Sequence, residues 1–331
     1  MSHHAAAGAR RTPAKDTAKA GAEANGLRRG GWGLLPETFA LAVSTTAGVF
    51  LTGANFGAAS HYWFIPMMFR QSSATELRRD VFISTLADSS PTLFWRLVGA
   101  LPGSSSPDTL FIIGGVLFFA LTLLALWHLG STLIGGRAGP VIVMLLAGGP
   151  ASLFQLACAQ LDHSLAAFPL IVLGISLFLR GRILPGVALV ALMANFHLLH
   201  SGLALAALLG GYLLMQRPLQ ARVLLQSCGT VVVCALPLIY RVATRPQGLP
   251  PLSPIEEKLW YDVMCIRHDM HLFVSAWSSL HLWVAFVAPL CAALILQYRR
   301  SEDEQGRLLA GMILSLACLF AVGVVAAETR T

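Results

Sequence analysis

LFIIGGVLFFALTLLALWHLGSTLI, residues 110–134, decides the fold. The run exceeds the ~20 residues a helix needs to cross a bilayer, and it contains no Asp, Glu, Lys or Arg. Its apolar character is continuous rather than alternating, so it reads as a helix and not as a barrel strand. Comparable runs lie at about 34–53, 140–157, 164–179, 183–199, 202–216, 223–240, 280–297 and 308–326. The expectation is an all-α, polytopic transmembrane helix bundle of about nine spans.

Composition points the same way. The 331-residue chain is 56% hydrophobic and only 12% charged, against about 25% charged residues in a soluble domain. The net charge of +7 therefore reads as orienting charge, and no nucleic-acid partner is expected. The six cysteines form no CxxC pair, and all but Cys265 lie in or beside apolar runs. They read as small buried hydrophobes, not as a disulfide framework or a metal site. Nothing in the sequence specifies a cofactor.

Residues 1–31 are rich in Ala, Gly, Lys and Arg and predict a disordered basic cytoplasmic tail. No apolar segment follows the first basic residues at the distance a cleavable signal requires. Residues 32–331 form the predicted transmembrane domain, with two long outer loops at 54–109 and 241–279. Basic residues of the tail, then Arg137, Arg180, Arg182, Arg217, Arg222, Arg299, Arg300 and Arg307, fall on alternate inter-span segments. The short turns near 158–163 and 195–201 carry no Lys or Arg. This bias predicts a multi-pass membrane protein with a cytoplasmic N-terminus.

The first outer loop has its own helix signals. Ser73 and Glu76 have capping-box spacing, which predicts a helix over 74–87. Ser90–Pro91 precedes Leu93, Phe94, Leu97, Val98 and Leu101, which would share one helical face. Two such helices beside a membrane are expected in its interface. Ser106–Pro107–Asp108 is a start signal for the following span.

With this topology four distant segments present polar groups at one membrane face: Asp80 and Asp88; Asp162 and His163; Asn195, His197 and His200; and Arg267, His268, Asp269 and His271. Near hydrocarbon such groups need partners or a wet cavity. Some have plain structural roles open to them. Asp162 is placed to cap the helix that follows, and Asp88 to form a turn. His128 and His281 show no sequence partner and read as structural. The two HxxH spacings, His197/His200 and His268/His271, leave metal chelation by paired imidazoles open as a second reading. In RRDVFIS (78–84), Asp80 is either a solvated neighbour of Arg79 or a general base held at the membrane surface.

This layout resembles the GT-C superfamily of membrane glycosyltransferases. RRDVFIS (78–84) followed by SPTLFWRLVGAL (90–101) resembles the region after the first span in an uncharacterised bacterial branch of that superfamily. RHDMHLFVSAW (267–277) is similar to a later outer-loop pattern of that branch at Arg267, His271, Ser275 and Trp277, and departs from it at Asp269 and Met270. The resemblance implies transfer of a sugar from a polyprenyl-phosphate donor at the extracytoplasmic face, with membrane lipid as the other partner. Asp80 would be the base for the acceptor hydroxyl. Arg267, with Arg78 or Arg79, would hold the donor phosphate. His271 or His268 would donate to the leaving oxygen. His200 and Trp277 complete the expected substrate-binding set. A transporter of a polar solute and a scaffold subunit without chemistry are further alternatives, the transporter the stronger. A transporter would need polar residues along the middle of spans, whereas here they gather at one face.

Overall fold

The computed structural model describes residues 38–39, 41–46, 65–66, 92–101, 107–133, 161–215, 220–244, 253–255, 258–259 and 304–328. These residues are helical with connecting turns, and no strand occurs among them. The elements are α1 (Phe94–Gly99), α2 (Pro107–Leu133), α3 (His163–Leu179), α4 (Ile183–Met193), α5 (Leu198–Met215), α6 (Ala221–Cys234), α7 (Leu236–Ala243) and α8 (Glu304–Glu328). By length and apolar composition α2 can cross a membrane, and α6 with α7 is a second candidate if the bent pair is one span. The apolar stretches of α3, α4, α5 and α8 are shorter. The runs at 140–157 and 280–297, most of 34–53 and the expected helix over 74–87 lie outside the described residues.

Local chemistry sets the helix ends. α2 opens at Pro107 with Asp108 in its first turn, where proline loses no hydrogen bond and a carboxylate favours the helix dipole. Asp162 caps α3: its Oδ1 accepts from the Leu165 N–H at 2.8 Å. α3 closes at Arg180 with Gly181 at φ +79°. The Gly181 N–H bonds the Phe178 carbonyl, and the Arg182 N–H bonds that of Leu177. This paired closure places a glycine where the chain turns left-handed and sends α4 back along α3.

The bundle core joins α3, α4, α5 and α8 through Ile171, Phe178, Val187, Val190, Leu208 and Met312. Backbones approach closely at small residues. A Cβ on Gly186 would lie 2.6 Å from the Gly174 carbonyl oxygen, and one on Gly211 would lie 2.7 Å from the Met312 nitrogen. Ser315 of α8 donates to the Ala206 carbonyl of α5 at 3.0 Å. Small residues and hydroxyl links of this kind are how apolar helices associate where no hydrophobic effect separates them from their surroundings.

Three sequence expectations change. The run 183–199 ends as α4 at Met193, and α5 already begins at Leu198. The run 223–240 is two helices bent by 61°. Pro237 explains the break, since it lacks the N–H that would bond back and its ring crowds the preceding turn. The expected face of α1 is rotated: Phe94, Trp95 and Val98 are buried, while Leu97 and Leu101 are 51% and 48% exposed. Trp95 sets this rotation by packing against Phe111 and His163 at ring distances of 6.0 and 6.1 Å.

His128 has a partner after all. Its Nδ1 lies 2.7 Å from Ser176 Oγ across the α2–α3 interface. Ser131 and Thr132 bond the His128 carbonyl, and Arg180 donates to both hydroxyls. This cluster ties α2 to the far end of α3.

Candidate functional site

At the other end of α3, α1 lies over the first half of α2 and leaves an apolar groove of about 740 Å³. One wall is Phe94, Leu97, Val98 and Leu101 of α1; the other is Leu110, Ile113, Gly114, Leu117 and Phe118 of α2. Leu161 and Phe196 also line it. The volume falls in the ~300–1,000 Å³ range of small-molecule sites.

Leu161 and Phe196 connect this groove to polar chemistry. Asp162 and His163 follow the first, and His197 follows the second. The His163 and His197 rings stack at 4.8 Å, and those of His197 and His200 at 3.8 Å, with interplanar angles of 10° and 13°. The structure thus brings together the second and third of the four polar segments. Their rings meet face to face, whereas a shared metal needs lone pairs converging in the ring planes. His197 Nδ1 is also engaged, accepting the His200 backbone N–H at 3.1 Å. Among the described residues no group of three or more His, Cys, Asp or Glu is arranged to hold a metal ion.

His197 sits in the turn between α4 and α5, outside both helices. Burial, then the neighbouring His200 and His163 rings, holds its imidazole down to about 4. The folded chain therefore excludes a proton that the unfolded chain binds between pH 6.5 and about 4. Stability from this group is fully present above that window and falls as the pH drops through it. Thermal melts over this range should show a decreasing Tm. His197→Phe, which keeps a stacked ring without the titration, should reduce that slope; an unchanged slope would remove His197 as its source.

Asn195 organises the same end. Its side chain is 2% exposed and fully engaged. Nδ2 donates to the Leu192 and Cys234 carbonyls at 2.8 and 2.9 Å, and Oδ1 accepts from the Leu238 N–H at 2.9 Å. Cys234 and Leu238 are the i, i+4 partners that an unbroken helix would join. The amide therefore supplies both groups of the turn opened at the α6–α7 bend. Beyond it, Arg241 Nη1 donates to the Thr92 carbonyl at 2.8 Å. Thr92 Oγ1 donates to the Phe196 carbonyl at 2.7 Å and accepts from the Phe94 N–H at 3.2 Å. Arg96 on α1 lies near enough to Arg241 for the two cations to repel.

Of the residues singled out from the sequence, His200 is described and lies at the outer end of the histidine stack. Asp80, Arg78, Arg79, Arg267, His268, His271 and Trp277 lie outside the described residues. Sequence reasoning assigned no role to Arg241 and placed Asn195 only as a polar residue of a turn. Pro237 inside an apolar run was the signal for the break those residues serve. Set against known proteins, the chain matches no family model, no curated protein and no solved structure.

Proposed function

We propose that this chain is a multi-pass protein of the bacterial inner membrane, with about nine spans and a cytoplasmic N-terminus, that binds a polyprenyl-phosphate sugar and transfers the sugar at the extracytoplasmic face. The observation that carries the reading is the groove: an apolar channel whose lining residues Leu161 and Phe196 adjoin Asp162, His163 and His197. An amphiphile is the ligand class suited to a site that is apolar along its length and polar at one end. Exposed apolar side chains on α2 away from the groove, such as Leu124 at 44%, and along α6 and α7 favour a lipid surround.

In the proposed reaction the acceptor hydroxyl attacks the anomeric carbon and gives its proton to Asp80. The bond from that carbon to the phosphate oxygen breaks, and polyprenyl phosphate leaves with the electron pair. A single displacement inverts the anomeric centre. Arg267 and Arg78 or Arg79 neutralise the phosphate, His271 or His268 donates to the leaving oxygen, and His200 and Trp277 border the sugar. The apolar walls of the groove do not favour the polar-solute transporter, and the stacked imidazoles do not favour the metal reading of His197 and His200.

Binding of a long-chain polyprenyl phosphate to the purified protein, followed by native mass spectrometry, tests this reading. Gly114→Leu, whose Cβ would lie 2.5 Å from Leu161 Cδ2, crowds the groove with its own side chain and that of Leu161. It should weaken binding on the order of tenfold, the loss of about two buried methylenes of ligand at ~0.8 kcal/mol each. Equal binding by the variant would remove the groove from the lipid site.

A further inference from the structure

We infer that the α6–α7 elbow is a strap clasping α1 over the groove, with the Asn195 amide as its latch; this rests on the reading of the groove as the lipid site. A helix bent by proline alone needs no distant partner. Here Asn195 takes both the Cys234 carbonyl and the Leu238 N–H, so the bend is fixed from outside its own helix. The strap then returns to the groove: Arg241 holds the Thr92 carbonyl, Thr92 holds the Phe196 carbonyl, and the Leu93 N–H donates to the Asn195 carbonyl at 2.7 Å.

These contacts close a ring running from the α4–α5 turn to the elbow, along α7 to Arg241, across to Thr92, and back to the turn. Phe196 of this ring lines the groove, and so does α1, which follows directly on Thr92 and Leu93. α1 has only six residues, too few for helical stability of its own. Its position depends on this ring and on the packing of Phe94, Trp95 and Val98. Straightening the elbow would return the Leu238 N–H to the Cys234 carbonyl, and the loss of these two partners by the buried Asn195 amide is what holds the elbow bent. Straightening would also withdraw Arg241 from Thr92 and free α1 to swing from α2. The strap is thereby a gate through which a lipid chain reaches the groove from the side.

Hydrogen exchange of the protein in nanodiscs tests the strap without reference to any ligand. Asn195→Ala removes the latch, and Pro237→Ala restores the backbone N–H that a straight helix uses at this point while leaving every ring side chain in place. Both should accelerate exchange across 92–101 on the order of tenfold, the equivalent of one buried hydrogen bond lost, with α5 and α8 at wild-type rates. Dissociation of a long-chain polyprenyl phosphate should quicken by a similar factor. Wild-type exchange across 92–101 in both variants overturns the proposal, as does acceleration spread equally through α5 and α8. If Asn195→Ala does not fold, Pro237→Ala decides alone. A wild-type protein that binds no polyprenyl phosphate overturns the lipid reading of the groove, while the exchange result still decides whether the strap exists.

Discussion

Gly186→Leu should yield no stably folded protein. A Cβ at this position would stand 2.6 Å from the Gly174 carbonyl oxygen, 2.9 Å from the Phe178 nitrogen and 3.0 Å from the Phe178 Cβ. Two of these three atoms belong to backbone, which cannot rotate aside as a side-chain tip can. The reciprocal position is equally tight, with a Gly174 Cβ 2.8 Å from the Gly186 carbonyl oxygen. α3 and α4 must therefore move apart, opening the core at Val187 and Val190, both fully buried. Overpacking of a well-filled core costs about 1–3 kcal/mol, and lost contacts along the parted helices add to it. That total is a large fraction of the ~5–15 kcal/mol that holds a domain together. Gly186→Ala should fold with a lower Tm, and Gly202→Ala, inside α5 where a Cβ meets nothing within 4 Å, should melt at or above the wild-type temperature. Monodispersity on size exclusion and thermal melting in detergent check all three.

Asp80→Asn should reduce sugar transfer by about 10²–10⁴-fold, the usual contribution of a positioned general base. The amide keeps the size of the carboxylate and removes its capacity to accept the hydroxyl proton. Its effect on binding should be small, because the lipid contacts of the proposal lie in the groove and the phosphate contacts on arginines. Turnover of labelled polyprenyl-phosphate sugars should therefore fall in kcat with little change in KM. Equal turnover by both proteins would take Asp80 out of the mechanism.

Parts of this architecture were legible because their causes are local. Ser106–Pro107–Asp108 marked the start of α2 within a residue, and Asp162 was read as the cap that the Leu165 N–H confirms. Continuity of hydropathy located α3 and α8. The same continuity hid the elbow, because a run of apolar residues reads alike whether straight or bent. What makes the bend stable is Asn195, forty or so residues away along the chain, and no spacing rule connects the two. His128 likewise waited on Ser176 of another helix. The face of α1 was misread because Trp95 breaks the simple apolar periodicity by packing on Phe111 and His163. As for the site, the sequence placed Asp162, His163, His197 and His200 on neighbouring turns of one face. The stacking of three of them depends on how α3 and α4 pack, which side-chain order does not encode.

In the proposed site a lipid chain lies between α1 and α2 with its polar head at the histidine end. Photo-crosslinking in membranes with a polyprenyl phosphate carrying a diazirine on its chain tests it most directly. Adducts are expected on Leu97, Leu101, Ile113 and Leu117 and should disappear when unlabelled polyprenyl phosphate is added in excess. Adducts confined to the exposed residues of α6 and α7, or adducts on α1 and α2 that resist competition, would contradict it.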